Sequence, residues 1–77
     1  MSLLKYETKT IVVIDHAATS KAARAIREKA GLSVREVARR MGFSAAYISD
    51  LELGKRHWSR SKSILFERAV KFPEDQP

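Results

Sequence analysis

From about residue 20 onward, apolar positions recur with the period of an α-helix, and glycines separate the runs. Ala23, Ile26 and Ala30 stand at i, i+3 and i+7 and predict the inner face of a first helix, capped by Thr19 or Ser20 and stopped at Gly31. Val34, Val37, Ala38 and Met41 repeat at i, i+3, i+4 and i+7 and predict a second helix that ends at Gly42. Its entry, Ser33-Val34-Arg35-Glu36, has the Ser-x-x-Glu spacing of a capping box, in which each end residue satisfies the other's backbone amide. A third helix is predicted from the capping Ser44 to Gly54, with Ile48 and Leu51 turned inward. A last helix is capped by Ser59 or Ser61 and reaches Phe72, where Pro73 stops it. Leu65, Ala69 and Phe72 are expected on its buried face, with Ile64 beside them.

The pattern is different ahead of the helices. Tyr6 to Asp15 is rich in Thr, Ile and Val, and Tyr6, Thr8, Thr10, Val12 and Ile14 fall on one face of an extended chain. This predicts one β-strand, with Asp15 as a cap or turn residue after it. A lone strand leaves its backbone groups unpaired, and no second strand stands out. Pairing with another copy of the chain is therefore the economical expectation. Met1 to Lys5 has no clear period and enters no element. The expected division is an N-terminal arm with its strand at 1–18, a helical domain at 19–72 and a tail at 73–77. The fold class is mainly α: four to five helices in a small domain with an added N-terminal strand.

Composition narrows what such a domain can do. A chain of 77 residues makes one small domain with a thin core, not an enzyme with a deep cleft between domains. It has no cysteine, which excludes disulfides and thiolate metal sites. No apolar run approaches the roughly 18 residues of a membrane span, and the start lacks the layout of a signal peptide, so a cytoplasmic location is expected. Fifteen Lys+Arg against nine Asp+Glu give a net charge of +6, which favours an anionic partner, nucleic acid first. Residues 21–62 concentrate that charge, with eleven basic and four acidic side chains. Paired carboxylates, a metal cluster and a glycine-rich phosphate loop are all missing, so neither an enzyme nor a cofactor is expected. Ser33, Ser44 and Ser59 are caps by position, with no base placed to make any of them a nucleophile. His16 and His57 are lone imidazoles with surface or packing roles, and Glu36 is a capping residue.

The stretch from Gly31 to Lys55, GLSVREVARRMGFSAAYISDLELGK, carries the chemistry. A tight crossing of two helices needs a small residue at the close approach, a glycine where the chain reverses and an apolar plug at the corner. Ala38, Gly42 and Ile48 meet these needs in order. With Ile26 to Ser33, Val37-Ala38, Gly42-Phe43-Ser44, Tyr47-Ile48-Ser49 and Leu51 to Arg56, the chain resembles the Cro/phage-repressor type helix-turn-helix, or xenobiotic-response-element, family of bacterial and phage transcription regulators. The resemblance covers roughly residues 20–72. Val34 stands where that family usually has Gln, and Leu53 where it often has Asn.

The resemblance implies a third helix that lies in the DNA major groove, with the second crossing the backbone. Carried onto this chain, the base-reading positions are Ser44, Ala45, Ala46, Tyr47, Ser49 and Asp50. Ala45 and Ala46 offer methyl groups suited to thymine, Ser49 can donate or accept, and Asp50 can accept from cytosine. No Arg or Lys falls on this face, so direct readout is expected to be modest, with Tyr47 the largest contact. Arg35, Arg39, Lys55, Arg56, Arg60 and Lys62 are the expected phosphate contacts. Arg39 and Arg40 are adjacent and should diverge. Trp58 is expected to pack the last helix against the third, with docking of His57 and Trp58 on a sugar-phosphate edge as the alternative. In this family an Arg at the position of Arg27 pairs with the Glu matched by Glu52, which implies a structural ion pair. The implied function is sequence-specific transcriptional regulation, repressor-like, by a homodimer on double-stranded DNA. Two alternatives stand beside it: the DNA-binding antitoxin of a toxin pair, whose strand engages a partner, and a helix-turn-helix module that binds protein.

Overall fold

Three serine caps set the helices in place. The hydroxyl of Ser33 accepts the Glu36 amide at 3.0 Å, that of Ser44 the Tyr47 amide at 3.1 Å and that of Ser59 the Lys62 amide at 3.2 Å. Each serine has extended backbone angles and so turns the chain into its helix. The computed structural model describes residues 3–8 and 12–72. In chain order its elements are β1 (Tyr6–Thr8), β2 (Val12–Ile14), α1 (His16–Lys29), α2 (Val34–Met41), α3 (Ala45–Glu52) and α4 (Arg60–Lys71). No helix among the described residues is long and apolar enough to cross a membrane. The tail expected at 73–77 lies outside the described residues.

The single strand expected over 6–15 does not form. β1 and β2 pair with each other, antiparallel, with Tyr6 opposite Ile14 and Thr8 opposite Val12. The facing backbone groups of the two strands are thus met within the chain, and pairing with a second copy is not needed for them. Residues 9–11, the middle of the expected strand, lie outside the described residues. The first helix also begins earlier than expected. Asp15 is its cap, with Oδ1 accepting the Ala18 amide at 3.0 Å. Thr19 and Ser20, the expected caps, are buried one turn inside α1. The Thr19 hydroxyl donates to the Asp15 carbonyl and accepts the Lys5 amide, and the Asp15 amide donates to the Lys5 carbonyl, which straps the N-terminal segment to α1.

One cluster of buried side chains joins all four helices: Ala23 of α1, Val37 and Ala38 of α2, Ile48 and Leu51 of α3, and Phe66, Ala69 and Val70 of α4, with Trp58 between α3 and α4. Leu3 and Leu4 belong to the same core although their stretch has no sequence period. Ala30, expected on the inner face of α1, is exposed at its C-cap, because the helix ends there and the chain turns away. The buried face of α4 is also rotated from the expected one. Ser63, Phe66, Ala69 and Val70 are inside, while Ile64, Leu65 and Phe72 are exposed. The rings of Phe66 and Trp58 meet edge to face at 5.5 Å, and that packing selects Phe66 over its neighbour Leu65.

The crossing of α2 and α3 depends on Gly42. Its φ of +78° is left-handed, a conformation that costs a side chain more than it costs glycine. It lets the Phe43 amide bond back to the Ala38 carbonyl at 2.9 Å, so α2 is closed before α3 begins two residues later.

Candidate nucleic-acid interface

With Ile48 and Leu51 buried, the opposite side of α3 faces out. Ser44 and Ala46 are exposed, and Ala45, Tyr47, Ser49 and Asp50 are half-buried. The six positions form one accessible face, although the Ser44 hydroxyl is already engaged as the cap of α3. Ala45 and Tyr47 also rest against the core, which fixes the base of this face.

Tyr47 is the centre of a small cluster. Its ring lies 4.9 Å from that of Phe43, four residues earlier, at a tilt of 32°. The Arg56 guanidinium lies 4.8 Å from the centre of the Tyr47 ring, and the Lys62 ammonium 5.2 Å from it. Both distances suit cation–π attraction, so the ring favours these positions of the two cations. Arg56 Nε is also 3.7 Å from Asp50 Oδ2, and Lys62 Nζ is 3.5 Å from the His57 carbonyl. Tyr47 and Asp50 from α3 thus meet Arg56 from the following loop and Lys62 from α4 on one surface. The sequence placed these four in two separate groups.

The loop between α3 and α4 is pinned from below, which fixes the path of Arg56. The Trp58 indole donates to the Ser20 hydroxyl at 3.1 Å, and that hydroxyl donates to the Leu51 carbonyl at 2.6 Å. The Trp58 amide donates to His16 Nδ1 at 2.9 Å. Trp58 is buried and performs the expected packing, which leaves no room for docking on a sugar-phosphate edge. The two histidines are not lone groups: their rings stack at 4.4 Å, 16° from parallel. Sequence spacing gives no sign of this, since 41 residues separate them.

The remaining basic residues divide between surface and scaffold. Arg35, Arg39, Lys55 and Arg60 are exposed. Arg39 and Arg40 both reach the carboxylate of Glu36, three and four residues back on α2, before they part. These two guanidiniums lower the Glu36 carboxyl from its usual 4.5 to about 2, the Arg39 hydrogen bond contributing most. The carboxylate is directed to them, in place of the reciprocal arm of the expected capping box. Arg40 goes further and donates to the Ala69 carbonyl at 2.8 Å, tying α2 to α4. It is a scaffold residue, while Arg39 keeps an exposed side chain.

The ion pair implied for Arg27 and Glu52 is present. Arg27 Nε donates to Oε2 at 2.7 Å and Nη2 to Oε1 at 2.9 Å, while Nη1 donates to the Leu32 carbonyl at 2.8 Å. Three contacts from one planar group lock the end of α3 to α1 and to the loop before α2. The hydrogen bond to Glu52 raises the Arg27 pKa above its usual value. Among the described residues, no group of three or more His, Cys, Asp or Glu could hold a metal ion.

A family model described as "Helix-turn-helix domain" matches residues 21–76. Comparison with curated proteins and with solved structures finds no match.

Proposed function

The chain belongs to the helix-turn-helix domain family, and from that premise we propose that it is a sequence-specific DNA-binding transcriptional regulator, repressor-like in action. α3 enters the major groove with Ser44, Ala45, Ala46, Tyr47, Ser49 and Asp50 toward the bases, and α2 crosses the backbone. Arg35, Arg39, Lys55, Arg60 and Lys62 neutralise phosphates around it. The reading is of a binding module in the cytoplasm, not of an enzyme. The observation that carries it is the accessible face of α3, rimmed by cations that the Tyr47 ring and the pinned loop hold in place.

An eight-residue helix is about 12 Å long and spans only a few base pairs. A single α3 therefore reads too little sequence to be selective. We place two copies on half-sites about 34–36 Å apart, one helical turn of DNA, or a multiple of that distance. Selection from a pool of random duplexes tests the reading. An enriched motif with two similar halves at that spacing is the expected result. A pool that stays random after several rounds while the protein remains folded would refute it.

A further inference from the structure

The sequence offers no Arg or Lys on the α3 face, yet the fold brings Arg56 and Lys62 to it, and of the two only Arg56 also stands beside Asp50. Arg56 follows the helix, but the Trp58 and His16 anchor turns the loop back, and its guanidinium ends beside Asp50 and over Tyr47. We propose that Arg56 reads a guanine, with Asp50 as its positioning residue, and is not one more phosphate contact. The proposal rests on the DNA-binding reading above and goes beyond it by naming a base and the pair of side chains that selects it.

The chemistry of the guanidinium carries the argument. Its five N–H donors lie in one plane, in a fixed fork. Asp50 faces the Nε side, and the Tyr47 ring occupies the space beneath the plane. No acceptor among the described residues takes the pair of terminal nitrogens, and the side chain as a whole is 54% exposed. Two parallel donors thus remain open on a guanidinium that stands beside Asp50 and over the Tyr47 ring. Guanine presents two acceptors, N7 and O6, side by side in the major groove, and a bidentate Arg is the commonest specific partner for them. A phosphate contact requires only a cation near the backbone and gives no role to an aspartate that weakens the positive field. An aspartate that orients the fork has one. With Arg56 Nε 3.7 Å from its carboxylate, Asp50 is also less free to accept from cytosine.

The test uses the intact chain and three variants, Arg56→Ala, Arg56→Lys and Asp50→Asn, in binding-site selection followed by titration of the selected duplex and of single-base variants. Thermal unfolding run in parallel should be nearly unchanged, since neither side chain is buried and their contact is a 3.7 Å surface pair. The wild type is expected to prefer guanine at one position of each half-site. Arg56→Ala should lose about 10- to 100-fold of discrimination there and keep its preferences elsewhere. Arg56→Lys retains the charge but not the planar fork, so it should keep general affinity and still lose that preference. Asp50→Asn should relax the guanine preference while raising affinity for every duplex, a sign that damage to the fold cannot produce. If both Arg56 variants leave every preference intact, and Arg56→Ala weakens all duplexes equally with a salt slope shallower by about one, Arg56 is a phosphate contact and the proposal falls alone. If the folded wild type binds no duplex, the DNA-binding reading falls, and this proposal with it.

Discussion

Glu52→Ala should destabilise the domain by about 3–5 kcal/mol, the usual cost of leaving one member of a buried ion pair without the other. The Glu52 side chain is only 5% exposed and that of Arg27 12%, so the guanidinium left behind would be poorly hydrated. Arg27 would keep its bond to the Leu32 carbonyl but lose both carboxylate contacts. A chain of this length has a net stability of only about 4–12 kcal/mol, so a loss of this size removes a quarter or more of it and should lower the unfolding midpoint well below that of the wild type. Urea denaturation followed by circular dichroism measures the effect. The double variant Arg27→Met with Glu52→Leu removes both charges and should be more stable than Glu52→Ala. A loss below about 0.5 kcal/mol for Glu52→Ala would mean that the pair is no more than a screened surface contact.

Ala46→Glu should have the opposite profile: an intact fold and a large loss of DNA binding. Ala46 is exposed in the first turn of α3. Glutamate is a good helix former, and an acidic group in a first turn favours the helix dipole by about 0.3–1 kcal/mol. Like charge with Asp50, four residues on, costs about 0.2–0.5 kcal/mol, so thermal stability should be nearly unchanged. On the proposed interface the new carboxylate would face base edges and phosphates, and like-charge juxtaposition costs several kcal/mol. Affinity for the selected duplex should fall by at least about 100-fold, as read by fluorescence anisotropy. Ala46→Gln has the same size without the charge and should lose much less. Equal affinity for the wild type and the glutamate variant would place position 46 outside the interface.

Much of this architecture was legible in the sequence because its signals are local. A serine cap acts over three residues and a glycine stop over one or two, so Ser33, Ser44, Ser59 and Gly42 could be placed without knowing what lay nearby. The inward set Val37, Ala38, Ile48 and Leu51 was equally clear, since short helices with one apolar stripe allow a single register. In α4 three apolar residues, Ile64, Leu65 and Phe66, stand side by side, and periodicity cannot choose among them. The choice is made by the Trp58 ring, a partner outside the helix. The β1–β2 pairing was hidden for a related reason: a continuous run of Thr, Ile and Val reads as one strand and gives no sign of where it folds back.

The candidate interface divides in the same way. The exposed side of α3 follows from which residues are buried, and helical geometry supplies the rest. The position of Arg56 does not. It depends on the loop path, which the hydrogen bonds from Trp58 to His16 and Ser20 fix across 42 and 38 residues. Arg40 is the converse case. On a helix wheel it is another surface cation, but its bond to the Ala69 carbonyl makes it part of the scaffold.

The most direct test of the central claim, that α3 and its cationic rim form a DNA-binding surface, is the salt dependence of binding of the unmodified chain to its selected duplex. If the five cations assigned to the backbone each meet a phosphate, log affinity should fall against log salt with a slope of about −4.5 per protomer, roughly a 500-fold loss between 50 and 200 mM. An affinity that does not change over that range, or a folded protein that binds no duplex at 50 mM, would contradict it.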